Sequence, residues 1–119
     1  MHVAVALATI VWFAHVGFAA GHALLLDSQP RRNEAAPATL SRIFLRFNSR
    51  LASGLSRLWI VTADGERIRL RFSRDGAPDR ITAPVPRLAP GIYTLEWKVL
   101  SIDGHVTDGG FRFRVIPAR

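Results

Sequence analysis

Along much of this chain the side chains change character at every second residue. In the run from Tyr93 to Leu100, Tyr93, Leu95, Trp97 and Val99 fall on one side of an extended backbone; Thr94, Glu96 and Lys98 fall on the other. Phe111-Arg112-Phe113-Arg114-Val115 alternates in the same way, as does Arg67-Ile68-Arg69-Leu70-Arg71-Phe72. Ile43, Leu45 and Phe47 make another apolar face, opposite Arg42 and Arg46. A strand with one apolar face must bury that face against another layer, so the pattern commits the chain to sheet packed on sheet. After residue 21 no segment shows sustained helical periodicity, and there are no internal repeats.

Turn signals divide the chain into short strands. Residues 23–28 read as a first strand closed by Pro30, followed by a polar loop in which Asn33 suits a left-handed turn. Ala35-Ala36-Pro37-Ala38 reads as linker, residues 40–47 as a strand and residues 48–56 as a loop. A strand over 57–62 meets its partner, 66–73, through Asp64-Gly65, a strong hairpin signal. Asp75-Gly76-Ala77-Pro78 turns the chain into residues 81–85, which Pro84 and Pro86 confine to a sheet edge. Ala89-Pro90-Gly91 leads into the strand over 92–100, and Gly109-Gly110 into the last one, 111–116. About seven short strands, with turn signals roughly every 8–12 residues, predict an all-β protein. The expected architecture is an antiparallel Greek-key β-sandwich, immunoglobulin-like in shape but without the cysteine pair of antibody domains.

The first residues are of another kind. Residues 3–20 are almost wholly apolar, and no Lys, Arg, Asp or Glu precedes Asp27. The run ends in Phe18-Ala19-Ala20-Gly21-His22, and signal peptidase requires small residues at −3 and −1. A cut after Gly21 places Ala19 and Gly21 there, whereas a cut after Ala20 would place the large Phe18 at −3. The competing reading is a membrane anchor, because the run approaches the length of a span. Its n-region is irregular for an export signal, carrying only His2 and the α-amine. The expected organisation is a signal peptide over 1–21 and one mature domain over 22–119, beginning with His22. Such a protein is expected in the periplasm, with no stable membrane insertion after cleavage.

All 16 Lys and Arg and all 9 Asp and Glu lie in the mature part, which carries the net charge of +7. A basic surface suits nucleic acid, an anionic membrane or acidic partner loops. The arginines alternate with apolar residues, as on the solvent face of half-buried strands, so nucleic acid is not expected. With no cysteine, this small domain must hold by packing alone.

Ser101-Ile102-Asp103-Gly104-His105 follows the most strongly patterned strand. If the chain stays extended through Gly104, Asp103 and His105 point to the same side and reach one point in space. Asp-Gly is more often a plain turn, however, and D-G-H alone is not specific. The mature chain holds two histidines, His22 and His105. An N-terminal histidine can grip one ion with its α-amine and Nδ1, closing a six-membered chelate ring. Amines titrate at about 8 and imidazoles at about 6.5, so a metal displaces both protons near neutral pH. His105 would bring the nitrogens to three, and Asp103 would add an oxygen. Tetragonal N/O coordination suits Cu(II), which heads the affinity order of divalent first-row metals; Zn(II) and Ni(II) are alternatives for the same groups. Cu(I) prefers soft sulfur ligands, and past Met1 there is neither Met nor Cys.

These residues carry a family likeness. His22-Ala23-Leu24, Ser28-x-Pro30, Leu45-x-Phe47, Gly91-x-Tyr93-x-x-x-Trp97, Ser101-x-Asp103-Gly104-His105 and Gly110-Phe111-x-Phe113-x-Val115 span essentially the whole mature chain. In them the chain resembles the CopC/PcoC family of exported copper-binding proteins. The resemblance implies a β-sandwich that binds Cu(II) through the amino-terminal His, an Asp and a second His, here His22, Asp103 and His105. Some members add a methionine-rich Cu(I) site; without methionines this chain resembles the Cu(II)-only type. Members often read F-S-E-P where this chain has Phe47-Asn48-Ser49-Arg50, so the likeness does not extend to a carboxylate from that loop. Members are often encoded with, or fused to, a multi-span CopD-type protein, which implies a separate inner-membrane partner here.

The function expected is therefore a non-enzymatic copper carrier for resistance, trafficking or delivery to a membrane importer. The rival is a copper monooxygenase, which shares the N-terminal histidine brace. Those enzymes are usually larger, with a flat aromatic face, whereas Trp59, Trp97, Phe72 and Phe111 here fall on the inward pattern and read as core. An Asp ligand would also fill a position that oxygen chemistry leaves open. A metal-free interaction module is the third reading, and it gains if no cut exposes the amine of His22.

Overall fold

The computed structural model describes residues 23–52, 54, 56–73 and 77–118. The expected signal peptide and His22 lie outside them. Eight strands form two sheets: β1 (Leu25–Gln29), β2 (Ala35–Pro37), β3 (Arg42–Phe47), β4 (Arg57–Thr62), β5 (Arg67–Arg69), β6 (Arg80–Pro84), β7 (Gly91–Leu100) and β8 (Val106–Ile116). One sheet has the order β1-β3-β6, the other β2-β8-β7-β4-β5. This is an immunoglobulin-like β-sandwich, and β6 occupies a sheet edge, as its prolines require.

The core lies between the inward faces that the alternation marks out. Ile43, Leu45, Leu58, Ile60, Ile81, Leu95, Val99 and Phe113 are fully buried. Trp97 packs edge-on against Phe47 at 6.0 Å and Phe111 at 5.8 Å between ring centres, joining the two sheets. Tyr93 donates its hydroxyl hydrogen to the Ala89 carbonyl at 2.7 Å, holding the turn before β7. Gly65 in the β4–β5 turn has φ +92° and Asn33 has φ 61°, the left-handed conformations their turns were expected to need.

Four elements differ from the sequence reading. Residues 35–37 are not linker but an edge strand, paired parallel with β8 from Ala35↔Arg114 to Pro37↔Ile116. Three residues are too few to display a period of two. The partner of β4 is shorter than 66–73, because after Arg69 the chain crosses toward the other sheet and Ser73 bridges Thr82. Trp59 is not core. Leu58 and Ile60 take the inward positions, and Trp59 faces outward with the Arg67 guanidinium 4.2 Å above its ring.

Finally, Gly109-Gly110 lies inside β8 rather than ahead of it. Gly109 sits opposite Trp97, and a Cβ there would come within 2.4 Å of the indole. The strand accepts glycine here because the ring lies across its backbone. Gly109→Ala is expected to destabilise the domain by about 3 kcal/mol through overpacking, read as a lowered denaturant midpoint. Gly54→Ala, with nothing within 4 Å of the added atom, is the control expected to shift it little.

Candidate metal centre

Asp103 and His105 occupy the turn between β7 and β8, where the two longest strands meet. The chain does not run extended through Gly104, whose φ is +93°. A tight turn brings the pair together instead. Gly104 N–H donates to the Ser101 carbonyl at 2.9 Å, and Ser101 N–H donates to the His105 carbonyl at 2.8 Å. Asp103 Oδ1 accepts from the backbone N–H of His105 at 3.3 Å and stands 3.2 Å from its ring Nδ1. The glycine is needed because a left-handed residue must sit between the two side chains. Asp favours such a place because its carboxylate can bond the backbone two residues on.

The turn is fastened from below. Ile102 N–H donates to the Arg50 carbonyl at 2.9 Å, Ala52 N–H to the Leu100 carbonyl at 2.7 Å, and Leu51 bridges Ser101, which is fully buried. Both candidate side chains nonetheless stay open to solvent, His105 at 56% and Asp103 at 46%. The hydrogen bond from the His105 ring holds the Asp103 carboxyl below the usual carboxylate range, with backbone N–H and Coulombic contributions in the same direction. Asp103 thus stays ionised through neutral and mildly acidic pH, and its hold on His105 is lost only as pH falls through that lowered value.

The start of the described chain lies beside this turn. Ala23 is buried, and its N–H donates to Thr107 Oγ1 at 3.3 Å, two residues past His105. Leu24 exchanges two bonds with Asn48: its N–H donates to the side-chain Oδ1 at 2.8 Å, and its carbonyl accepts from the Asn48 N–H at 3.0 Å. Thr107 and Asn48 were not legible as site residues, since a side chain bonding backbone 84 or 24 positions away leaves no local pattern. Of the three expected ligands the turn joins Asp103 and His105; His22 is outside the described residues. Among the described residues no group of three His, Cys, Asp or Glu could hold a metal. The turn by itself supplies one imidazole and one carboxylate.

A family model for the CopC domain matches residues 25–116. The chain belongs to the CopC family. Protein YobA of Escherichia coli strain K12 is 33% identical over 97 residues, 79% of this chain and 78% of that protein. Copper transport protein CutJ of Bacillus subtilis strain 168 is 22% identical over 109 residues, 89% of this chain but 20% of CutJ. The crystal structure of CopC from Methylosinus trichosporium OB3b matches with a TM-score of 0.75 and 28% identity, covering 82% of this chain and 97% of that one. PcoC, a methionine-rich copper resistance protein from Escherichia coli, shares the fold, with a TM-score of 0.69 at 22% identity over 80% of this chain and 99% of PcoC.

Proposed function

We propose that this CopC-family protein is exported to the periplasm, cut after Gly21, and holds one Cu(II) ion as cargo for copper resistance, trafficking or delivery to a membrane importer. The ligands are the α-amine and imidazole of His22, the Asp103 carboxylate and the His105 imidazole. The observation that carries this reading is the hydrogen bond from Ala23 to Thr107. With consecutive Cα atoms about 3.8 Å apart, residue 22 starts one short step from a backbone anchored beside the Asp103–His105 turn. A cut after Gly21 would leave the primary amine one residue before Ala23, which is anchored two residues past His105. The names of CutJ and PcoC, which refer to copper transport and copper resistance, support the same cargo.

The Asp103 carboxylate and the His105 ring hold each other at 3.2 Å, Oδ1 to Nδ1, and binding one ion with both side chains exchanges that contact for two bonds to the metal. A carboxylate in the ligand set favours a hard, doubly charged ion. Delivery draws support from the apolar side chains near the turn. Ile102 is 67% exposed, Val106 52% and Leu24 58%, apolar contacts open to a partner such as a CopD-like inner-membrane protein. The aromatic platform of a copper monooxygenase is not near this turn, since Trp59 lies out on the face of the larger sheet.

The test is a pair of competition titrations with chelators selective for each oxidation state. One equivalent of Cu(II) is expected to bind tightly, and Cu(I) at least about a thousandfold more weakly for lack of sulfur. Cu(I) binding as tight as Cu(II) binding would refute the ligand set.

A further inference from the structure

We infer that the outer face of the five-stranded sheet is a docking surface for an anionic phospholipid membrane. The inference rests on the reading of the chain as exported. Residues directly opposite one another in a ladder share a face. The pairs Arg57↔Lys98, Trp59↔Arg69, Trp59↔Glu96, Val61↔Arg67, Thr94↔Arg112 and Ile92↔Arg114 therefore display six cations outward, while Leu58, Ile60, Leu95, Phe111 and Phe113 are buried behind them. Against these the strands of this face set two carboxylates, Glu96, which is bonded to Arg67 at 3.2 Å, and Asp108, which sits opposite Lys98. The outer face of the other sheet is less charged. There Arg42, Arg46 and Arg80 are offset by Asp27 opposite Arg46, and by Asp79, 3.6 Å from Arg80.

The arrangement fits a plane of phosphates better than a compact ligand. The cations stand on four neighbouring strands, β8, β7, β4 and β5, which at about 4.8 Å apart spread them across about 15 Å, around an open groove in which Glu96 and Asp108 oppose a compact anion. Beside Arg114, Ile92 and Ile116 stand 52% and 44% exposed on the same face. Apolar side chains among arginines are what an interfacial surface uses, the first entering the acyl boundary and the second meeting headgroups. The face is poorly made for stacking nucleic-acid bases, because Arg67 covers the Trp59 ring. Docked this way, the strands lie along the membrane. The β7–β8 turn then opens sideways, toward proteins embedded in the same bilayer.

The experiment is flotation of copper-free protein with vesicles of phosphatidylcholine alone and of phosphatidylcholine mixed with phosphatidylglycerol. A failure of the copper reading leaves this measurement untouched. Binding is expected only to the mixed vesicles, and raised salt should abolish it. The pair Arg112→Glu with Arg114→Glu is expected to weaken it by about a hundredfold or more. The pair Arg42→Glu with Arg80→Glu, on the other sheet, should weaken it at least about tenfold less. All variants carry the same N-terminus, and Arg112→Gln with Arg114→Gln, expected to lie between, guards against a folding defect. Equal losses from the two reversal pairs, or equal binding to neutral vesicles, would overturn the inference. So would no vesicle binding combined with retention on immobilised polyglutamate that the Arg112 and Arg114 reversals abolish, which would reassign the face to an acidic protein.

Discussion

His105→Ala lowers the affinity for Cu(II) by at least about a thousandfold and leaves the fold intact. Loss of an outer partner of a metal ligand typically costs 10–100-fold, and loss of the ligand itself exceeds that. At His105 the substitution removes an imidazole and also the group that Asp103 holds at 3.2 Å, so the carboxylate loses its orientation as well. The side chain is 56% exposed, and the bonds that shape the turn run through backbone atoms of Ser101, Gly104 and His105 together with the Asp103 carboxylate. Thermal stability without copper is therefore expected to stay within about 0.5 kcal/mol of the parent. Chelator competition reads the first quantity and thermal unfolding the second. Unchanged Cu(II) affinity would remove the metal from this turn.

Adding one residue ahead of His22 does comparable damage without touching a side chain of the site. The extension turns the primary amine of His22 into an amide nitrogen, which is not basic and does not bind a metal without losing its own proton. The chelate ring opens, and the histidine retains only its imidazole. The expected loss is about a hundredfold or more, again by chelator competition. Ala23 and Leu24 keep their bonds to Thr107 and Asn48, so the sandwich itself is indifferent to the added residue. An extended protein that binds Cu(II) as well as the unextended one would exclude the amine from the ligand set.

The two outcomes share a structural cause. β7 and β8 pair without interruption from Gly91↔Val115 to Leu100↔Val106, and their turn sits on the segment around Arg50 and Leu51. Ala23, at the start of the described chain, is fastened to Thr107 near the start of β8. The proposal draws on this, because Ala23 and the Asp103–His105 turn, 80 or more positions apart in sequence, lie at one end of the sandwich.

Much of this was readable from the residues, for identifiable reasons. Strands with one wet face, such as β3, β7 and β8, show their period of two openly, because polar or charged residues take most of their outward positions. The reading failed where that contrast vanishes. Leu58-Trp59-Ile60-Val61 is apolar throughout, so nothing in the run told which of Trp59 and Ile60 faces the core. Ala35-Ala36-Pro37 owes its strand character to β8 and not to its own composition. At the candidate site the residue types were legible but the path was not. Extension through Gly104 was the premise that joined Asp103 to His105, and a left-handed glycine joins them instead. The fastening of Ala23 by Thr107 depends on tertiary structure alone.

The central claim is that the new amino terminus and the Asp103–His105 turn close on one ion. Nitrogen hyperfine structure in the electron paramagnetic resonance spectrum of the Cu(II) complex, recorded beside that of the one-residue extension, tests it most directly. The proposal predicts three nitrogens on a tetragonal Cu(II) in the exported protein, whose mass begins at His22, and fewer in the extension. Identical spectra from the two proteins would contradict it.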